Sequence, residues 1–168
     1  MTGGNGNDTD IWRNSLLRYA GYANELGESF RPIFPKFVVP SYGISFAYVF
    51  GDTYDKSCKA KLQAKSMDSN LQTLHVARSA IDTLLWQSLA SVVVPGITIH
   101  QIVHMTSKLI ERQKSVPFGI RRWAPTLVGL TTIPFIIHPL DNVVHFLLDL
   151  TVRPAFDYAA YRVMHNAA

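Results

Sequence analysis

Thr83–Ser107 reads TLLWQSLASVVVPGITIHQIVHMTS, and it contains no Asp, Glu, Lys or Arg. A helix of about 20 apolar residues is what a bilayer core demands. Two other stretches share the character. Ile33–Gly51 and Trp123–Leu140 add one charged residue between them, Lys36, close to an end where it can snorkel to the interface. A soluble domain distributes charge along its amphipathic helices. Here charge is withheld from long segments, so the sequence predicts an all-α integral membrane bundle with three or four apolar, proline-interrupted helices. A soluble all-α protein with unusually buried helices is the alternative architecture.

Each apolar segment carries proline. Pro35 and Pro40 predict that the first regular helix begins after Pro40. Pro95-Gly96 predicts a kink or break in the second segment, whose helix begins as early as Ser69. Pro125, Pro134 and Pro139 divide the third, leaving Asn142–Leu148 as a separate half-helix or interfacial turn. Arg121, Arg122 and Trp123 read as an interfacial anchor. Hydrophilic loops are expected at about 52–79 and 108–122. The single membrane domain then covers 10–153, between a disordered 1–9 and a tail at 154–168. Lys and Arg are nearly balanced between the two sides of a three-span arrangement, so the positive-inside rule sets no orientation.

The whole chain has 168 residues, 17% charged and 48% hydrophobic, with a net charge of +4. That excess is too small, and too scattered, for a nucleic-acid footprint. Cys58 is the sole cysteine, which excludes a disulfide scaffold and a cysteine-built zinc site. The first twelve residues contain Asp8 and Asp10 and no Arg or Lys, so no cleaved secretory or Arg-rich leader is expected. Nucleophile-elbow, phosphate-loop and dinucleotide fingerprints are absent, which predicts a protein that is not an enzyme and uses no cofactor.

Before the first apolar segment, Trp12, Leu16, Tyr19, Ala23, Leu26 and Phe30 recur in steps of 4, 3, 4, 3, 4. This is one continuous helical stripe, with Asp10 as its cap and Pro32 as its stop. Such an amphipathic helix packs its stripe on the protein's own bundle or lies in the membrane interface.

Other constellations carry specific expectations. Gly43, Ala47 and Gly51, four apart, form a small-residue seam for close helix packing, with Gln87 as an interhelical hydrogen-bonding residue. Arg78 and Asp82 are spaced to pair with each other, though in the weaker orientation. His138, Asp141, His145 and Asp149 form a polar stripe leading to Arg153. It is the polar face of a half-helix pairing with residues such as Arg78 or Arg121, or a proton or metal site. His100 and His104 have metal-ligand spacing but no third ligand nearby, and are expected as a partly solvated pair without metal.

Four passages carry a resemblance. They are RYAGYANELGESFR (18–31), SYGISFAYVFGDTYDK (41–56), IDTLLWQSLASVVVPGIT (81–98) and RWAPTLVGLTTIPFIIHPLDNVVHFLLD (122–149). In this order they resemble the mitochondrial fission process protein family, also called the mitochondrial 18 kDa protein family. The resemblance implies a multi-pass protein of the mitochondrial inner membrane acting in mitochondrial division and network morphology. It implies partners in the lipid bilayer and among inner-membrane proteins, carriers or respiratory complexes, and no catalytic residues. A channel or transporter conducting protons or small solutes is the rival reading, motivated by the proline breaks beside His100, His138 and Asp141.

Overall fold

The computed structural model describes residue 12, residues 17–113 and residues 115–166. The expected disordered 1–9, the Asp10 cap and Leu16 of the stripe lie outside these. The described residues are helical throughout, without strands. Two short helices, α1 (Arg18–Gly21) and α2 (Ala23–Ser29), form an N-terminal arm. A 3-10 turn at Pro35–Phe37 leads into α3 (Val38–Gln63). Then come α4 (Ser69–Gln87), a π-helical segment (Ser88–Val93) and α5 (Val94–Glu111). The chain ends in α6 (Phe118–Leu150) and α7 (Val152–Asn166).

Helix α3 corrects two expectations. It begins at Val38, because Pro40 falls in the first turn, where the missing N–H costs nothing. It also runs past Gly51 to Gln63, through what composition marked as loop. Asp52–Lys56 (2.9 Å) and Asp55–Lys59 (3.1 Å) support this stretch. Both place the acid four residues before the base, the favoured orientation. The expected 52–79 loop is therefore a turn at 64–68. It closes on Asp68, whose side chain caps α4 by accepting from the Asn70 N–H.

In the other two segments proline does not divide the helix. From Ser69 to Glu111 the chain is one continuous helical rod. The turns before Pro95 widen to π geometry instead of breaking, which accommodates a residue without an N–H. Helix α6 passes through Pro125, Pro134 and Pro139 without dividing, so Asn142–Leu148 is part of it. A long helix held by neighbours tolerates such lost bonds. The expected 108–122 loop shrinks to 112–117, and the 154–168 tail is mostly helix α7.

Short turns make α3, the α4–α5 rod and α6 successive antiparallel neighbours. The arm packs on α3, α5 and α6, and α7 folds back against α4. Small apolar clusters join these layers, Tyr48, Val49 and Val92 on one side and Ala90, Val144 and Leu148 on the other. Among the described residues, two helices are long and apolar enough to cross a membrane, Ser69–Glu111 and Phe118–His165. Of the segment 33–51, residues 38–51 form the first half of α3, whose second half is charged.

Candidate functional site, a buried polar seam around the arm

In α2, ANELGES, the residues Asn24, Glu25, Glu28 and Ser29 fall on one helical face, and all four are buried. The apolar stripe lies opposite. Tyr19 is 69% and Leu26 45% exposed, while Ala23 and Phe30 are half-buried. For Tyr19 and Leu26 the expectation of packing on the bundle is thus corrected, since α2 docks through its polar face, while Trp12 of the same stripe packs against Tyr48. Periodicity identifies two faces of a helix, but not which one meets the protein. When the surroundings are apolar, hydrogen-bonding groups are the ones that gain by turning inward.

The docking contacts are specific. Asn24 receives the Ser45 hydroxyl at Oδ1 (2.9 Å), donates its backbone N–H to Ser45 Oγ (3.0 Å), and donates Nδ2–H to the Val92 carbonyl (3.0 Å). One side chain therefore ties the arm to α3 and to the π segment. A turn further on, the Glu28 carboxylate accepts two bonds from Arg31 (2.7 Å each) and one from Tyr42 (3.1 Å), and meets His100 Nδ1 at 3.0 Å. Burial alone would raise the Glu28 pKa, but the bonds from Arg31, His100 and Tyr42 outweigh it and hold it low.

Glu25 is the contrast. Among the described residues, neither of its buried carboxylate oxygens has a hydrogen-bond partner. Burial first, and the charge of Asp141 second, push its pKa up to about 8. Below that value it is a neutral acid inside the bundle.

Glycines permit the close approach. A Cβ on Gly129 would come within 2.8 Å of Ser29 Oγ and Val103 Cγ2. One on Gly96 would reach 2.6 Å from the Tyr42 hydroxyl, and one on Gly27 would collide with the Ser41 side chain. Of the expected small-residue seam of Gly43, Ala47 and Gly51, the close contact among the described residues is at Gly51. Gly43 has nothing within 4 Å, Ala47 is exposed, and Gly51 lies under the Trp12 indole. Tyr48 fixes that indole with an edge-on ring contact at 5.5 Å and an O–H bond to the Trp12 carbonyl (2.8 Å).

Gln87 bridges helices: it donates to Asp52 of α3 and accepts from Ser91 (2.8 Å). Beside it opens a cavity of about 390 Å³ whose polar lining includes Tyr48, Gln87, Ser91, His138, Asp141 and His145. The α6 stripe therefore divides. His138, Asp141 and His145 face the cavity, and the His145 ring sits 5.1 Å from Trp86. Asp149 instead binds Arg153 (2.7 Å). The expected Arg78–Asp82 pair is also corrected. Arg153 takes Asp82 (2.8 and 3.2 Å), and Arg78 takes Asp157, because α7 brings its own charges alongside α4. His104 is exposed and stacks on His100, their centroids 6.1 Å apart. Among the described residues, no group of three His, Cys, Asp or Glu could hold a metal ion.

Asn24, Glu25 and Glu28 escaped sequence reading, since they looked like the solvent side of an amphipathic helix. A signal for them was present in Gly27, a helix-weakening residue set in the same polar face.

The family model of Mitochondrial 18 KDa protein matches residues 11–148. Mitochondrial fission process protein 1 of Caenorhabditis elegans is 41% identical over 149 residues, covering 88% of this chain and 89% of the relative. The Homo sapiens protein of the same name is 40% identical over 152 residues, covering 90% of each chain. That of Danio rerio is 41% identical over 148 residues, covering 88% of each. No solved structure matches the chain.

Proposed function

We infer the function from one premise: the chain belongs to the Mitochondrial 18 KDa protein family. Relatives named for mitochondrial fission support a role in that process and a mitochondrial home. We propose that it acts there as a non-catalytic, multi-pass protein of the inner membrane that shapes and organises that membrane during division. In this reading α3 is a third crossing beside the two long apolar rods. The arm is a fourth helix sealed onto them, and contacts with carriers or respiratory complexes are made through the outer faces.

The observation that carries the reading is the set of polar groups mixed into the buried core, beside large apolar side chains left exposed. Asn24, Glu25, Ser45, Asp52, Gln87 and Thr126 are buried, while Val39 is 80% and Phe135 78% exposed. Water selects against such an arrangement and lipid selects for it. The test combines alkaline carbonate extraction, protease protection of tags at both termini and in the 64–68 turn, and rescue of network morphology in cells lacking the endogenous protein. Release by carbonate, or full rescue by a variant that no longer inserts, would overturn it.

The polar cavity supports a second reading, conduction of protons or small solutes. Proteoliposomes containing this protein alone would show flux if it holds.

A further inference from the structure

We propose that the corner where the arm turns into α3 binds one anionic phospholipid, with its phosphate held by Lys36, Arg121 and Arg122 and an acyl chain laid in the groove between α2 and α3. The groove measures about 580 Å³, within the roughly 300–1,000 Å³ of small-molecule sites. Leu26, Phe30, Phe34, Phe37, Pro40 and Ile44 wall it, and no charged residue enters it. The rings form a continuous wall, Phe30 to Phe34 at 6.4 Å and Phe34 to Phe37 at 6.0 Å. A second depression of about 340 Å³ is lined by Pro32, Ser107, Glu111, Phe118, Arg121 and Arg122. Pro32 sits in the chain between Phe30 and Phe34, so one molecule with a charged head and an apolar tail can cover both.

Charge at this end is less neutralised than at the other. Lys36, Lys108, Arg112, Arg121 and Arg122 are exposed, and among the described residues none has an ion-pair partner. Of the nearby acids, Glu28 is engaged by Arg31 and Glu111 alone faces the cluster. At the opposite end four cations are matched, Lys56 by Asp52, Lys59 by Asp55, Arg78 by Asp157 and Arg153 by Asp82, while Lys61 and Lys65 are exposed without an ion-pair partner among the described residues. Unmatched cations at the mouth of an apolar groove, beside the exposed Trp123 where a spanning helix starts, fit an anionic headgroup at the level of the interface. A soluble anion would leave the groove unused.

The proposal rests on membrane residence, which carbonate extraction reads separately. The experiment uses the full-length protein, purified in detergent and stripped of lipid. Phosphatidylglycerol, phosphatidylcholine and glycerol 3-phosphate are titrated in turn, with retention read by native mass spectrometry and by thermal shift. Phosphatidylglycerol should bind and the other two should not. A Lys36→Gln, Arg121→Gln, Arg122→Gln triple variant should bind it about a hundredfold more weakly, at about fivefold per cation. Ile44→Trp fills the groove while leaving every cation, and should abolish retention. Equal binding of phosphatidylcholine overturns headgroup recognition, and equal binding of glycerol 3-phosphate overturns the lipid. If the triple variant does not fold, full retention by Ile44→Trp overturns the site.

Discussion

Replacing Asn24 tests what holds the arm in the bundle. Asn24→Leu keeps the volume and stays buried, so packing changes little. It strips the Val92 carbonyl of its side-chain donor and the Ser45 hydroxyl of its acceptor. An orphaned buried polar group costs about 1–3 kcal/mol. Ser45 has a fallback in the Ala20 carbonyl at 3.3 Å, so most of the loss falls on Val92. The expected destabilisation is about 2 kcal/mol, read as denaturant or thermal unfolding in detergent micelles. Asn24→Asp discriminates further. Its ionised carboxylate would face the Val92 carbonyl, acceptor against acceptor, whereas the protonated acid can donate there and still accept from Ser45. Asn24→Asp should therefore lose more than Asn24→Leu at pH 8 and recover toward wild type at pH 5. A double cycle with Ser45→Ala should give a coupling of about 1 kcal/mol, within the range for polar contacts inside membrane bundles. Wild-type stability of Asn24→Leu, together with no pH dependence in Asn24→Asp, would refute the idea that this hydrogen-bond hub anchors the arm.

Three further outcomes are expected. Glu25 has a folded pKa of about 8 against an ordinary 4.5, so it exacts no penalty below the ordinary value and a growing one as pH rises through about 8. Glu25→Gln should match wild type at pH 4.5 and exceed it at pH 8.5 by on the order of 4 kcal/mol, and a constant difference across this range would contradict the neutral-acid assignment. Val93→Arg, at a 38% exposed site inside the first long rod, should cost about 2.5–3.5 kcal/mol of insertion, measured by translocon-dependent membrane integration. Arg153→Ala frees Asp82 and Asp149 together and should loosen α7, seen as faster hydrogen exchange over 152–166 with the rest of the bundle protected; unchanged exchange would mean that apolar contacts alone hold α7.

What the sequence made legible was helix, and segments apolar enough to cross a membrane. The charge-free run at 83–107 needs no tertiary information, because the absence of Asp, Glu, Lys and Arg is itself the constraint. The arm's stripe was equally plain in spacing, yet its direction was not, since Tyr19 and Leu26 obey the same 3.6 period whether they face core or lipid. The close-packed glycines hid for a related reason. Gly27, Gly96 and Gly129 lie on three different helices, so they leave no small-residue repeat, whereas in the repeat Gly43, Ala47 and Gly51 the close contact is at Gly51, under Trp12. Prolines misled because a penalty counted for an isolated helix is offset where neighbours hold it, and the π turn before Pro95 places the Val92 carbonyl within reach of Asn24. The two features belong together. Asn24 is the donor that the arm offers to this carbonyl, across 68 residues of chain. The contact joins the π segment to the inward polar face of the arm, so it could not be read from either segment alone.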